Sequence, residues 1–121
     1  MTDDKLYYLA TPYTNFGYGH TAAFAEAARC AADLIRQGVN VYSPIVHSHP
    51  IAELGGLDPV NHDLWMGVDR AFMERCDGII VATMKGWDSS KGVMFEIDWF
   101  TKAGKSVRYY DPKTDTIANF M

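Results

Sequence analysis

The chain has 121 residues, 48% of them hydrophobic and 21% charged, with a formal net charge of −4. These values suit one soluble domain, residues 1–121, with a core of its own. They exclude the basic footprint that duplex DNA or RNA demands, but not a small anion held by backbone amides. The two cysteines, Cys30 and Cys76, sit in apolar, helical-looking surroundings and form no CxxC pair. That points to reduced thiols and a cytoplasmic protein. The start, MTDDKLYYLA, carries acids where a signal peptide carries bases, and no apolar run is long enough to span a bilayer.

In chain order, residues 5–10 (KLYYLA) read as a first strand, ended by Thr11 and Pro12. Residues 20–37 place Ala23, Ala27, Ala31, Leu34 and Ile35 at helical spacing, and Gly38 closes that helix. Residues 39–43 form a second strand, stopped by Pro44. Residues 45–61 hold Pro50, Gly55, Gly56 and Pro59 and read as a long loop. Residues 62–75 read as a helix with Leu64, Val68, Phe72 and Met73 toward the core. Residues 78–83 (GIIVAT) are continuous, branched and apolar, as in a strand buried on both faces. A loop over 84–89, a helix over 90–103 closed by Gly104, and a strand over 106–110 follow. The tail DPKTDTIANFM reads as one more short helix. This alternation predicts a parallel sheet with helices on both faces and no domain boundary. Ligands of such sheets sit outside the carboxyl ends of the strands. Here those are residues 10–19, 44–61, 84–92 and 111 onward.

Ser89 or Ser90 is placed to cap the helix after GIIVAT. The free amides of its first turn, with Gly92 allowing close approach, suit an anion; the serine equally well caps the helix and does nothing more. Glu96 lies six residues after Ser90, roughly 9 Å along a helix axis. That is the span from a 5′-phosphate to the anomeric carbon of a pentose. The same helix end is expected to keep Glu96 ionised. The plain alternative is an acid paired with a lysine or arginine on a solvated face, a poor fit to neighbours such as Val93, Met94, Phe95 and Ile97. Asp69 shares the helical stripe 62, 65, 66, 69, 73 and 76 with Trp65 and Met73; its alternative is a surface pair with Arg70 or Arg75. Asp77, at the helix end, reads as structural. Two carboxylates facing one pocket are what cleavage of a glycosidic bond demands.

Tyr8 in YYLATPY, Asp69 eight residues before Asp77, GIIVAT, and SKGVMFE ending in Glu96 together resemble the nucleoside 2-deoxyribosyltransferase superfamily. The resemblance covers most of the chain. It implies a flavodoxin-like (Rossmann-like) α/β fold with a parallel sheet of four to five strands. It implies that Glu96 attacks C1′ of a deoxyribose, that Tyr8 holds Glu96, and that Asp69 serves the sugar and the leaving base. It also implies a homodimer, with Asn119 in IANFM completing the neighbour's 5′ pocket. One position divides the family. Transferases acting on free nucleosides carry an Asp six residues before the nucleophile. The branch hydrolysing deoxynucleoside 5′-monophosphates carries a Ser there, followed two residues later by Gly. Here those positions hold Ser90 and Gly92, which suits a phosphate, while Asp88 is a nearby charge that opposes one. The loop TPYTNFGYGH lacks the arginine expected of a phosphate loop. Its candidates for substrate contact are Pro12, Tyr13, Gly17 and Gly19, with Thr14 and Asn15 as further donors; an ordinary turn is the alternative.

His47, His49 and His62 fall in one region, and H-x-H on a loop is able to chelate zinc. No cysteine or second clustered acid joins them, and the resembling chemistry needs no metal or cofactor, so none is expected. His47 is instead a candidate to contact the base. Tyr13, Phe16 and Trp87 are candidates to stack on it. The expected activity is hydrolysis of a (deoxy)nucleoside 5′-monophosphate to free base and sugar 5-phosphate. Base exchange, and a nucleotide sensor without chemistry, are the alternatives. The expected partner is a small nucleotide or nucleoside, not a nucleic acid polymer or a membrane.

Overall fold

The computed structural model describes residues 4–13 and 16–119, the Asn119 side chain excepted. The donor roles expected of Thr14 and Asn15, and the side-chain role expected of Asn119, fall outside the described residues. The elements run β1 (Leu6–Ala10), α1 (His20–Arg36), β2 (Asn40–Tyr42), α2 (Pro44–Gly55), α3 (His62–Arg75), β3 (Gly78–Ala82), α4 (Lys91–Lys102), β4 (Ser106–Asp111) and β5 (Thr116–Asn119). A single 3-10 turn, Trp87–Ser89, precedes α4.

The strand order is β2-β1-β3-β4-β5. The first four strands are parallel, and β5 returns antiparallel to β4. This is the flavodoxin-like α/β arrangement that the sequence predicts. From β1 the chain winds to β2 on one side, then crosses back to β3 on the other. That reversal opens a crevice at the carboxyl ends of β1 and β3.

Side-chain alternation divides the core into two layers. Tyr7 and Leu9 of β1 pack with Ile80 and Ala82 of β3 against Cys30 and Leu34 of α1. Tyr8 and Ala10 point the other way, with Ile79 and Val81, onto Met73 of α3 and Val93 and Phe100 of α4. Both cysteines are free and buried, and burial pushes each thiol up to about 11. At Gly78 the sheet meets its neighbours so closely that a Cβ would lie 2.8 Å from the Ser106 carbonyl oxygen, so only glycine fits. Among the described residues no helix is long and apolar enough to cross a membrane.

Three expectations need correction. Residues 44–55 are a helix, α2, not part of a long loop. Ser43 caps it by accepting from the Val46 amide at 3.2 Å, Pro44 takes the first helical position, and Gly56, at φ 72°, closes it in the left-handed region. Pro50 forgoes one backbone bond without ending the helix. The tail is a strand, β5, because β4 offers a free edge and Thr116 and Ile117 are β-branched; Asp115, at φ 58°, makes the turn. On α3, Met73 is the buried residue, while Leu64 is exposed.

Candidate active site

A cavity of about 540 Å³ opens at the carboxyl end of β1, between α3 and the start of α4. The stripe read from the sequence supplies one wall: His62, Trp65, Met66, Asp69 and Met73 all line it. The first two turns of α4 supply another, with Ser90, Lys91, Gly92, Val93, Phe95 and Glu96. Thr11 and Tyr13 come from the segment after β1. The two carboxylates singled out in the sequence therefore face one space.

Glu96 is held from behind. Tyr8, fully buried in β1, donates its hydroxyl proton to Glu96 Oε2 at 2.8 Å. Burial pushes Glu96 up to about 8, the negative charge of Asp69 adds to the rise, and the Tyr8 hydrogen bond works against it. The expectation that the helix end keeps Glu96 ionised is thus corrected: removal of water outweighs it. Burial also pushes Asp69 up to about 6, and its Oδ1 is buried with no hydrogen-bond partner among the described residues. The two carboxyls titrate as a pair, sharing one proton between about 6 and about 8. Between those two values the proton rests chiefly on Glu96, and attack by Glu96 draws on the arrangement in which that proton has passed to Asp69.

Tyr42 escaped the sequence reading. It is the register partner of Tyr8 on β2, with ring centroids 5.9 Å apart. Its ring stacks on Phe72 of α3 at 3.9 Å, three residues beyond Asp69. Its hydroxyl is buried and unpartnered among the described residues. Burial, then the negative charge of Asp69, hold the phenol well above its usual range. A period-two reading of so short a strand gives no hint of it.

At the start of α4, the Ser90 hydroxyl accepts from the Val93 amide at 3.3 Å and caps the helix. Its own proton stays available to a ligand. Beside Gly92 there is open space, the nearest atom to an added Cβ being Ser90 Oγ at 3.9 Å. Lys91, the first residue of α4, lines the cavity and supplies a cation that the N-terminal loop lacks. The signal for it was its place directly after the capping serine. Thr11 is also new, its hydroxyl oxygen buried without a partner among the described residues.

Several expected contacts lie elsewhere. Pro12 is fully buried, and Gly17, Gly19 and His47 are not among the lining residues. Gly19 caps α1 in the left-handed region, at φ 93°. His47 sits in α2 against Tyr42 and Phe72. Phe16 packs on Tyr18 and Trp87 on Tyr109, so the aromatic lining comes from Tyr13, Trp65 and Phe95. The three histidines separate: His62 lines the cavity, and His49 bonds to Tyr13 and Glu53. Among the described residues no group of three or more His, Cys, Asp or Glu side chains is placed to hold a metal ion.

Among solved structures, the fold is similar to a 2-deoxyribosyltransferase from the psychrotolerant bacterium Bacillus psychrosaccharolyticus, with a TM-score of 0.58 and 22% identity. The alignment covers 88% of this chain and 72% of that one. No curated protein matches the sequence. Residues 5–112 match the family described as a domain of unknown function, DUF1937, and the chain belongs to that family.

Proposed function

We propose that the protein cleaves the N-glycosidic bond of a (deoxy)nucleoside 5′-monophosphate. The observation that carries this reading is the pairing of Asp69 with a Tyr8-held Glu96 in one cavity that Ser90 and Lys91 also line. The similarity in fold to a 2-deoxyribosyltransferase supports it. With the shared proton moved from Glu96 to Asp69, the Glu96 carboxylate attacks C1′ as the bond to the base breaks, giving a glycosyl-enzyme. Asp69, protonated, delivers its proton to the leaving base. Water, deprotonated by Asp69, then releases the sugar 5-phosphate and restores both carboxyls. Ser90, Lys91 and the free amides beside Gly92 hold the phosphate roughly 9 Å along α4 from Glu96.

A transferase would use the same intermediate, with a second base in place of water. The test is a panel of ribo- and deoxyribonucleoside 5′-monophosphates and the matching nucleosides, with free base read by chromatography. Release from monophosphates alone supports the hydrolase. Release only when a second base is added moves the assignment to base exchange. Melting shifts with nucleotide but no release leave a sensor.

The exposed apolar side chains Ile51, Leu54, Leu57, Val60, Leu64 and Phe95 lie on α2, on α3, on their connection and on α4, and Val60 and Phe95 also line the cavity. They support assembly as a homodimer through this side of the molecule. Light scattering on the purified protein reads it directly: a mass of one chain would exclude the dimer.

A further inference from the structure

Tyr13 enters the cavity wall with its hydroxyl already engaged. Its oxygen lies 2.8 Å from His49 Nδ1, and His49 Nε2 lies 2.9 Å from Glu53 Oε2. His49 is buried, at 8% exposure, and its ring stacks on Phe24 of α1 at 4.7 Å. His20, the first residue of α1, stacks on Tyr13 at 4.3 Å with 12° between the planes. One ring face and the hydroxyl of Tyr13 are thus fixed by α1 and α2. The senses of these bonds follow from chemistry. A carboxylate only accepts, so Nε2 donates to Glu53; in the neutral ring Nδ1 then accepts, and Tyr13 donates to it. With His49 neutral, the Tyr13 proton is committed to it, and the phenolic oxygen keeps only lone pairs for anything in the cavity. Each bond in such a chain polarises the next, making that oxygen a better acceptor.

The geometry points to a specificity relay, Glu53–His49–Tyr13, in which His49 and Glu53 are positioning residues and Tyr13 presents a hydrogen-bond acceptor to the substrate. Resting on the proposed nucleotide chemistry, it selects bases that carry an exocyclic amino group over their oxo counterparts. An amino group donates to the Tyr13 oxygen. A carbonyl oxygen at the same place would face another acceptor, and Tyr13 would have to break its bond to His49 to meet it.

The experiment compares cytosine with uracil, and adenine with hypoxanthine, as 5′-monophosphates. Base release gives kcat and KM, and calorimetry gives Kd, in wild type and in Tyr13→Phe, His49→Leu and His49→Gln. Wild type is expected to favour the amino base roughly tenfold, chiefly through KM. Tyr13→Phe and His49→Leu erase the preference. His49→Gln keeps most of it, because its amide oxygen accepts from Tyr13 and its amide nitrogen donates to Glu53. Tyr13→Phe retains the ring and serves where His49→Leu fails to fold. Equal handling of amino and oxo bases by wild type, or a preference unchanged in Tyr13→Phe, overturns the relay. If wild type binds nucleotides but releases no base, the catalytic reading fails, and the Kd ratios still decide the relay.

Discussion

The hydrogen bond from Tyr8 to Glu96 favours the ionised carboxylate in a place where burial disfavours it. Base release by the wild type should therefore follow a bell-shaped pH profile with limbs near 6 and 8, the macroscopic values of the pair. Tyr8→Phe removes the hydrogen bond that lowers Glu96, so the limb near 8 should move to higher pH. Its maximum should fall about tenfold or more, the scale of one lost bond to a charged group. An unshifted profile would separate Tyr8 from the chemistry. The same burial has a consequence for stability. Glu96 ionises near 8 in the folded protein and near 4.5 as an unperturbed group. The native state thus holds a proton that the unfolded chain has released, and stability contributed by this group is lost as pH rises through that window. Glu96→Gln cannot ionise. Its melting temperature relative to wild type should be constant below pH 4.5, climb up to about pH 8, and then level off. Melting curves in a pH series check the sign.

Element by element, the helices that carry the two acids are fixed at their ends by quite different means. The start of α4 is set by Ser90, and SSKG reads as a helix start in the sequence alone. The end of α3 is set from a distance: Lys105 Nζ donates to the carbonyls of Met73, Glu74 and Cys76 at 3.1, 2.8 and 2.7 Å. Lys105→Met should cost about 1–2 kcal/mol by leaving those carbonyls without their charged donor, lowering the melting temperature by several degrees. Thermal unfolding measures it; a variant as stable as wild type would remove the clamp from the account. The contrast shows which parts of the fold were legible. The buried strand β3, the stripe on α3 and the caps of α1 and α4 follow from local pattern. The helix α2 was hidden by Pro50, although Ser43, Pro44 and Gly56 spell its boundaries. The strand β5 was hidden because an edge partner, β4, has to exist before the tail has anything to pair with.

For the whole molecule, the order β2-β1-β3-β4-β5 is what assembles the cavity. It brings Tyr8 and Tyr42 side by side and swings α3 and α4 over the carboxyl ends of β1 and β3. Glu96, Asp69 and Ser90 were readable from residue type and spacing, and Tyr8 from the family resemblance. Tyr42, Thr11, Lys91, and the His49–Glu53 support of Tyr13 were not, because their partners lie on other elements and only the tertiary fold joins them. The fold is compatible with several activities, so the carboxylate pair has to carry the functional claim. The measurement that tests it most directly is free base released from deoxyribonucleoside 5′-monophosphates by wild type and by Glu96→Gln, under identical conditions. Wild type should release base, and the variant should lose at least about a thousandfold, as expected when a covalent nucleophile is removed. Undiminished release by Glu96→Gln would contradict it.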